Sequence, residues 1–175
     1  MSQLAPADFV FVDETGVNIA MTRRYARAPK GQRVHTSAPV NKGKNVTVLG
    51  ALSLQGMHAA MTIEGSTDTQ VFLTFVQTVL VPTLRPGQIV IMDNLSSHKV
   101  NGVKEAIEAA KATLEYLPSY SPDFSPIEEC WSKFKEFLRA KAARTRELLD
   151  QAITEALDII TPQDAQGWFA HCGYL

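Results

Sequence analysis

Three carboxylates stand where apolar stretches give way to polar ones. Asp13 follows the apolar run 9–12, Asp93 follows the run 89–92, and Glu128 lies three residues after Ser125 at the head of an amphipathic stretch. Short apolar runs suit buried strands, so each aspartate is expected at the carboxyl end of one. If those strands are parallel neighbours, both carboxylates emerge at one sheet edge, and a helix crossing that edge can add Glu128. Three hard oxygen donors gathered in this way suit Mg²⁺ or Mn²⁺ better than zinc.

Each acid also has a plainer reading. Ser125-x-x-Glu128 is by itself a capping box, and Asp13 and Asp93 are residue types that end strands at turns. Glu14 and Glu129 adjoin two of the acids. On a strand Glu14 points away from Asp13, and on a helix Glu129 is turned about 100° from Glu128, so both are expected to face solvent or to support the site from outside.

The elements that must position these acids are legible in the spacing. Ser125 reads as an N-cap and Pro126 as the first helical residue, with Ile127, Cys130, Trp131, Phe134 and Leu138 as the buried stripe. Pro118, Pro122 and Pro126 predict an extended lead into this helix. Residues 9–13 and 17–21 read as a hairpin joined at Glu14-Thr15-Gly16, and 46–54 and 57–63 as two more strands turning at Gln55-Gly56. Thr67 and Gln70 read as the capping box of a helix striped by Val71, Phe72, Phe75, Val76, Val79 and Leu80 and ending near Pro82.

Arg85-Pro86-Gly87 then turns the chain into the Asp93 strand. Val103, Ile107 and Ala110 mark a second helix, and 114–117 a short strand. Antiparallel strands followed by a helix and a strand call for a crossover that returns the Asp93 strand parallel to the first. Thr145 caps a further helix striped by Leu148, Leu149, Ala152, Ile153, Ala156, Leu157 and Ile160. Pro162 opens the last helix, and Trp168, Phe169 and Tyr174 pin the terminus to the core.

Charge is distributed unevenly. No acid occurs from Thr15 to Ile63, whereas Arg23, Arg24, Arg27, Lys30, Arg33, Lys42 and Lys44 lie there, seven of the chain's 17 basic residues. Pro29, Gly31, Pro39 and Gly43 make this a loop, either a merely solvated one or one able to hold DNA phosphates beside the first aspartate. Tyr25 within it either stacks on a base or covers the core. His98 and Lys99 follow Asp93 closely and are candidate phosphate contacts; for His98 the alternatives are orienting a metal ligand and a hydrogen-bonded loop role. Beyond Glu128, the cations Lys133, Lys135, Arg139, Lys141, Arg144 and Arg146 read as an exposed face balanced by Glu129, Glu136 and Glu147, with a track for the DNA backbone as the rival reading.

Taken together, FVDETG around Asp13, IVIMDNLSSHK around Asp93 and YSPDFSPIE around Glu128 resemble the three acidic motifs of the DDE transposases, in the mariner-like branch that includes many bacterial insertion sequences. The interval between Asp93 and Glu128, residues 94–127, is the 34 residues typical of that branch. YARAPKGQR and the terminal WFAHCGY are similar to recurrent stretches of the bacterial members. The resemblance implies an α/β, ribonuclease H-like fold with a mixed five-stranded sheet flanked by helices. It also implies a polynucleotidyl transferase that cuts DNA at transposon ends and joins the freed 3′-hydroxyl to target DNA in transposition.

In that chemistry two Mg²⁺ ions, or Mn²⁺ in their place, are held by Asp13, Asp93 and Glu128, with Asp13 bridging both, Asp93 on one and Glu128 on the other. The expected partners are transposon-end and target DNA and a second copy of the chain on DNA. A ribonuclease H-like nuclease without strand joining stands as an alternative. So does a non-catalytic remnant that binds DNA or regulates a full-length enzyme. Residues 1–175 are expected to form a single catalytic domain. The helix-turn-helix region that family members carry ahead of the first acid is expected to be absent, and to be supplied by a separately encoded or frameshift-fused segment.

Totals set the outer bounds. A chain of 175 residues with 45% hydrophobic content fits one globular core, and a net charge of −1 gives no global signature of a nucleic-acid partner. Cys130 and Cys172 lack metal-type spacing and read as reduced thiols. With no signal-like or membrane-length apolar segment, the expected location is the cytoplasm.

Overall fold

The computed structural model describes residues 5–94, 101–118 and 121–175. Its centre is β1 (Phe9–Val17), which is unbroken through Glu14-Thr15-Gly16. The predicted hairpin at that point does not form. The carboxyl half of β1 is instead paired residue for residue with β2 (Val46–Ser53), from Phe11 opposite Leu52 to Val17 opposite Val46. The ladder satisfies the backbone through Gly16, so nothing there forces a turn.

β2 continues through a tight turn at Gly56, whose φ of 100° favours glycine, into antiparallel β3 (Gly56–Glu64). On the other side of β1 lie β4 (Ile89–Met92) and then β5 (Thr113–Tyr116), both parallel. The sheet order is β3-β2-β1-β4-β5, the ribonuclease H-like arrangement that the resemblance implied.

Helices cover both faces. α1 (Thr69–Phe75) and α2 (Val103–Ala109) pack on the face that carries Val10, Val12, Leu49, Val90 and Met92. α1 is capped by Asp68, which accepts from the Val71 N–H, one residue beyond the predicted Thr67 cap. It runs on through a wider π-type turn (Val76–Leu80) and a 3₁₀ turn ending at Thr83.

α3 (Pro126–Lys141), α4 (Arg146–Asp158) and α5 (Pro162–His171) cover the face that carries Phe11, Val17, Val48, Leu52 and Ile91. The predicted stripe of α3 is buried throughout, whereas Leu148 of α4 is 52% exposed because Leu149 takes the inward position of that turn. Pro122–Phe124 forms a 3₁₀ turn, not the extended lead expected. The Tyr174 hydroxyl donates to the Phe124 carbonyl at 2.8 Å, and Tyr174 packs on Phe9, Phe11 and Phe169, so the terminus secures the start of α3. Among the described residues no helix is long and apolar enough to cross a membrane.

Candidate active site

The register of the sheet decides where the aspartates go. β1 and β4 pair in parallel up to Val12 opposite Met92, so Asp13 and Asp93 come next on adjacent strands, roughly 5 Å apart along the backbone. Alternation puts both on the face of Phe11 and Ile91, under α3, and turns Glu14 to the opposite face. Asp13 is not the end of its strand, as expected from the sequence, because β1 continues to Val17; it marks the end of the parallel pairing only.

Glu128 arrives in the first turn of α3 with its side chain exposed. The plainer reading of this residue does not hold. Ser125 is the N-cap residue, but its side chain makes no capping hydrogen bond. Glu128 is therefore not explained as half of a capping box.

Electrostatics ties the three acids together. Burial pushes the Asp13 carboxyl from 3.8 to about 7, the Glu128 and Asp93 carboxylates add to the rise, and the Glu14 backbone N–H and the Trp131 indole work against it. Trp131 Nε1 donates to Asp13 Oδ2 at 2.9 Å and fixes the carboxylate's orientation.

That bond depends on a glycine. Gly50 lies opposite Asp13 on β2, and a Cβ there would sit 2.7 Å from Trp131 Cη2 and 2.9 Å from Met57 Sδ, so only glycine lets the indole lie across β2. Both contributions escape sequence reasoning: Trp131 reads as one more apolar residue of the stripe, and Gly50 as an ordinary strand residue. The third supporting group is Lys135, half-buried and within electrostatic reach of Glu128 and Asp13. Among the described residues no three acid, histidine or cysteine side chains are already closed into a metal cage. The acids converge without being drawn together.

The basic segment forms an exposed strap, residues 18–45, between β1 and β2. Its base is fixed: Asn18 donates to Asn45 at 3.2 Å, and Arg144 Nη1 donates to the Ile19 and Met21 carbonyls at 2.9 and 3.0 Å. Arg23, Arg24, Arg27, Lys30, Arg33 and Lys42 are exposed, while Lys44 pairs with Glu64, which also pairs with Arg146 at 2.9 Å. Tyr25 is 88% exposed and so does not cover the core. His98 and Lys99 lie outside the described residues.

A five-stranded mixed sheet with three carboxylates converging where its central parallel pair ends, under a helix that delivers the third, defines a domain of the ribonuclease H-like class. The family model described as DDE superfamily endonuclease matches residues 8–150, and the chain belongs to that family. The Tcb2 transposase of a Caenorhabditis briggsae transposable element is similar, at 28% identity over 156 residues, covering 83% of this chain and 57% of that protein.

Two solved structures share the fold. A pre-cleavage Mos1 transpososome aligns with a TM-score of 0.74 at 14% identity, covering 95% of this chain and 53% of that one. A Mos1 transposase catalytic domain with Raltegravir and Mg aligns at 0.68 and 15% identity, covering 96% and 80%. The three motifs resemble those of mariner-like transposases, and Mos1, whose catalytic domain shares this fold, is a mariner transposase. The chain spans little more than half the length of the curated relative it matches.

Proposed function

We propose that this chain is the catalytic domain of a mariner-like transposase, which cuts DNA at transposon ends and transfers the freed 3′-hydroxyl into target DNA. The carrying observation is the convergence of Asp13, Asp93 and Glu128, close enough for the other two to raise the Asp13 carboxyl. Such mutual repulsion is relieved by a cation, and an all-carboxylate donor set fits Mg²⁺ or Mn²⁺. The Mos1 catalytic domain has been solved with Mg and with Mn, which supports the same choice here.

Asp13 would face two such ions, Asp93 one of them and Glu128 the other. When bound, the ions supply activation of the attacking oxygen and charge stabilisation of the leaving 3′-oxygen. The residues of the chain do the rest. Trp131 holds Asp13 Oδ2 in one orientation, and Lys135 offsets the charge of Glu128 and Asp13. The strap cations Arg23, Arg24, Arg27, Lys30, Arg33 and Lys42 would hold phosphates without reading sequence. Recognition of transposon ends would then come from a separately encoded or frameshift-fused N-terminal segment, and pairing of two ends from a homodimer on DNA.

The test is Mn²⁺ titration calorimetry on the wild-type chain, Asp93→Ala, Glu128→Gln and Ser125→Ala, with circular dichroism for folding. Loss of binding in both acid variants and retention in Ser125→Ala is expected; unchanged binding in Glu128→Gln sinks the assignment of the third ligand. Strand-transfer assays with the fused protein follow. Cleavage without joined products would point to a simple nuclease, and DNA binding without metal-dependent cleavage to a regulator.

A further inference from the structure

The cations of α3 and its C-terminal end divide into two sets. Lys133 pairs with Asp164, Lys141 with Glu155, Arg146 with Asp150 and Glu64, and Arg144 is spent on backbone carbonyls. For these, the reading as a balanced face holds, although the balancing acids are not the ones expected from the sequence. Lys135 and Arg139 take part in no salt bridge among the described residues. They follow Glu128 by seven and eleven residues, so at 3.6 residues per turn all three share one flank of α3, leading away from the acids.

The strap faces that flank. Arg23, Arg24 and Tyr25 enclose with Ser132, Glu136 and Arg139 a groove of about 470 Å³, inside the roughly 300–1,000 Å³ typical of ligand pockets. Burial first, and Arg24 after it, lowers the pKa of Arg139; burial, Arg139 and then Arg24 lower that of Lys135 against the pull of Glu128 and Asp13. Cations so close to one another, with Glu136 as the acid among the groove-lining residues, await an anion. Beside them the Tyr25 ring is open to solvent, a surface suited to stacking.

We propose that this groove holds one unstacked nucleotide of the DNA strand that passes the three acids, its phosphate between Arg24 and Arg139, its base against Tyr25, and Lys135 adding its charge from the same flank of α3 beside the groove. The inference rests on DNA being the substrate of the domain, but not on which bonds are cut or joined. Guanidinium groups meet a phosphate with two parallel hydrogen bonds, and every base offers a stacking face, so the site is indifferent to sequence. It extends the phosphate contacts of the strap into a site that tells a nucleotide from a bare backbone.

Fluorescence anisotropy without divalent metal, using a labelled short oligothymidylate and an abasic oligonucleotide of equal length, tests this. Tyr25→Ala should weaken the oligothymidylate about tenfold and leave the abasic strand unchanged, with Tyr25→Phe restoring the difference. Arg139→Gln and Lys135→Gln should weaken both strands and each lower the salt slope by about 0.7. Lys104→Gln, on α2, should change neither. Equal effects of Tyr25→Ala on the two strands, or no binding by the folded wild-type chain, overturns the proposal. Failure of cleavage with this discrimination intact refutes the catalytic reading instead and leaves the groove standing.

Discussion

Adding a single methyl group at Gly50 should damage the site from a strand that carries none of its acids. A Cβ on Gly50 would lie 2.7 Å from Trp131 Cη2 and 3.0 Å from Cζ2, so the indole must withdraw by roughly 0.8 Å to restore carbon–carbon contact. Met57 Sδ, at 2.9 Å, is the end of a flexible side chain and can move aside, but the indole is rigid and tied to Asp13. Withdrawal by that amount breaks a 2.9 Å hydrogen bond. Overpacking costs about 1–3 kcal/mol and loss of a bond to a charged group about 1.5–3 kcal/mol. Because one movement causes both, Gly50→Ala should destabilise by about 2–4 kcal/mol.

Urea unfolding of Gly50→Ala, Trp131→Phe and the double variant measures the coupling. Phe lacks the far edge of the indole that meets the new methyl, so the double variant should be more stable than the sum of the single effects predicts, by at least about 1 kcal/mol. Additivity within about 0.5 kcal/mol would show that Gly50 and Trp131 are energetically independent and would refute the reasoning.

Other consequences can be measured on the same material. The Asp13 carboxyl ionises near 3.8 in the unfolded chain and near 7 in the fold. The folded state thus keeps a proton that the unfolded state loses, and metal-free stability should fall as pH rises through that window, by on the order of 4 kcal/mol at the limit. Urea midpoints in chelator, at about pH 5 and about pH 8, should show this fall in the wild-type chain relative to Asp13→Asn; equal pH dependence in both refutes it. Thr145→Ala should cost about 1 kcal/mol, because Thr145 Oγ1 accepts from the Leu148 N–H, whereas Ser125→Ala, with no cap bond to lose, should cost less than about 0.5 kcal/mol. Arg144→Gln should free the base of the strap and speed trypsin cleavage at Arg23 to Arg33, with no change in the urea midpoint beyond about 1 kcal/mol; unchanged cleavage would mean the strap is held elsewhere.

The placing of Asp13 and Asp93 on adjacent parallel strands and of Glu128 at the head of a helix was legible because each follows or begins an apolar pattern, and period-two and period-3.6 patterns survive in a single sequence. What surrounds them was less so. The spurious hairpin at Glu14-Thr15-Gly16 arose from reading turn residues locally, when pairing with β2, about thirty residues further on, overrides that preference. The cap of α1 fell on Asp68 instead of Thr67 because Asp68, the stronger capping residue of the two, has the extended backbone that lets its carboxylate accept from the Val71 N–H. Trp131 and Gly50 could not be recognised as site residues at all, since their roles exist only once β2 and α3 touch. The separation of paired from unpaired cations on α3 likewise depends on α4, α5 and the strap, none of which Lys135 or Lys133 can reveal from its own neighbours in the chain.

The bond between Trp131 and Asp13 spans 118 positions of sequence, and that distance also orders events in time. Synthesis delivers Asp13 early, Asp93 midway and Glu128 with Trp131 late, and contacts of such long range form slowly after local ones. A nascent chain carrying β1 through β4 already has two acids but neither the third nor the indole that orients the first. The proposed metal site is therefore among the last features of the molecule to come into being, and a chain released before α3 would hold only part of it.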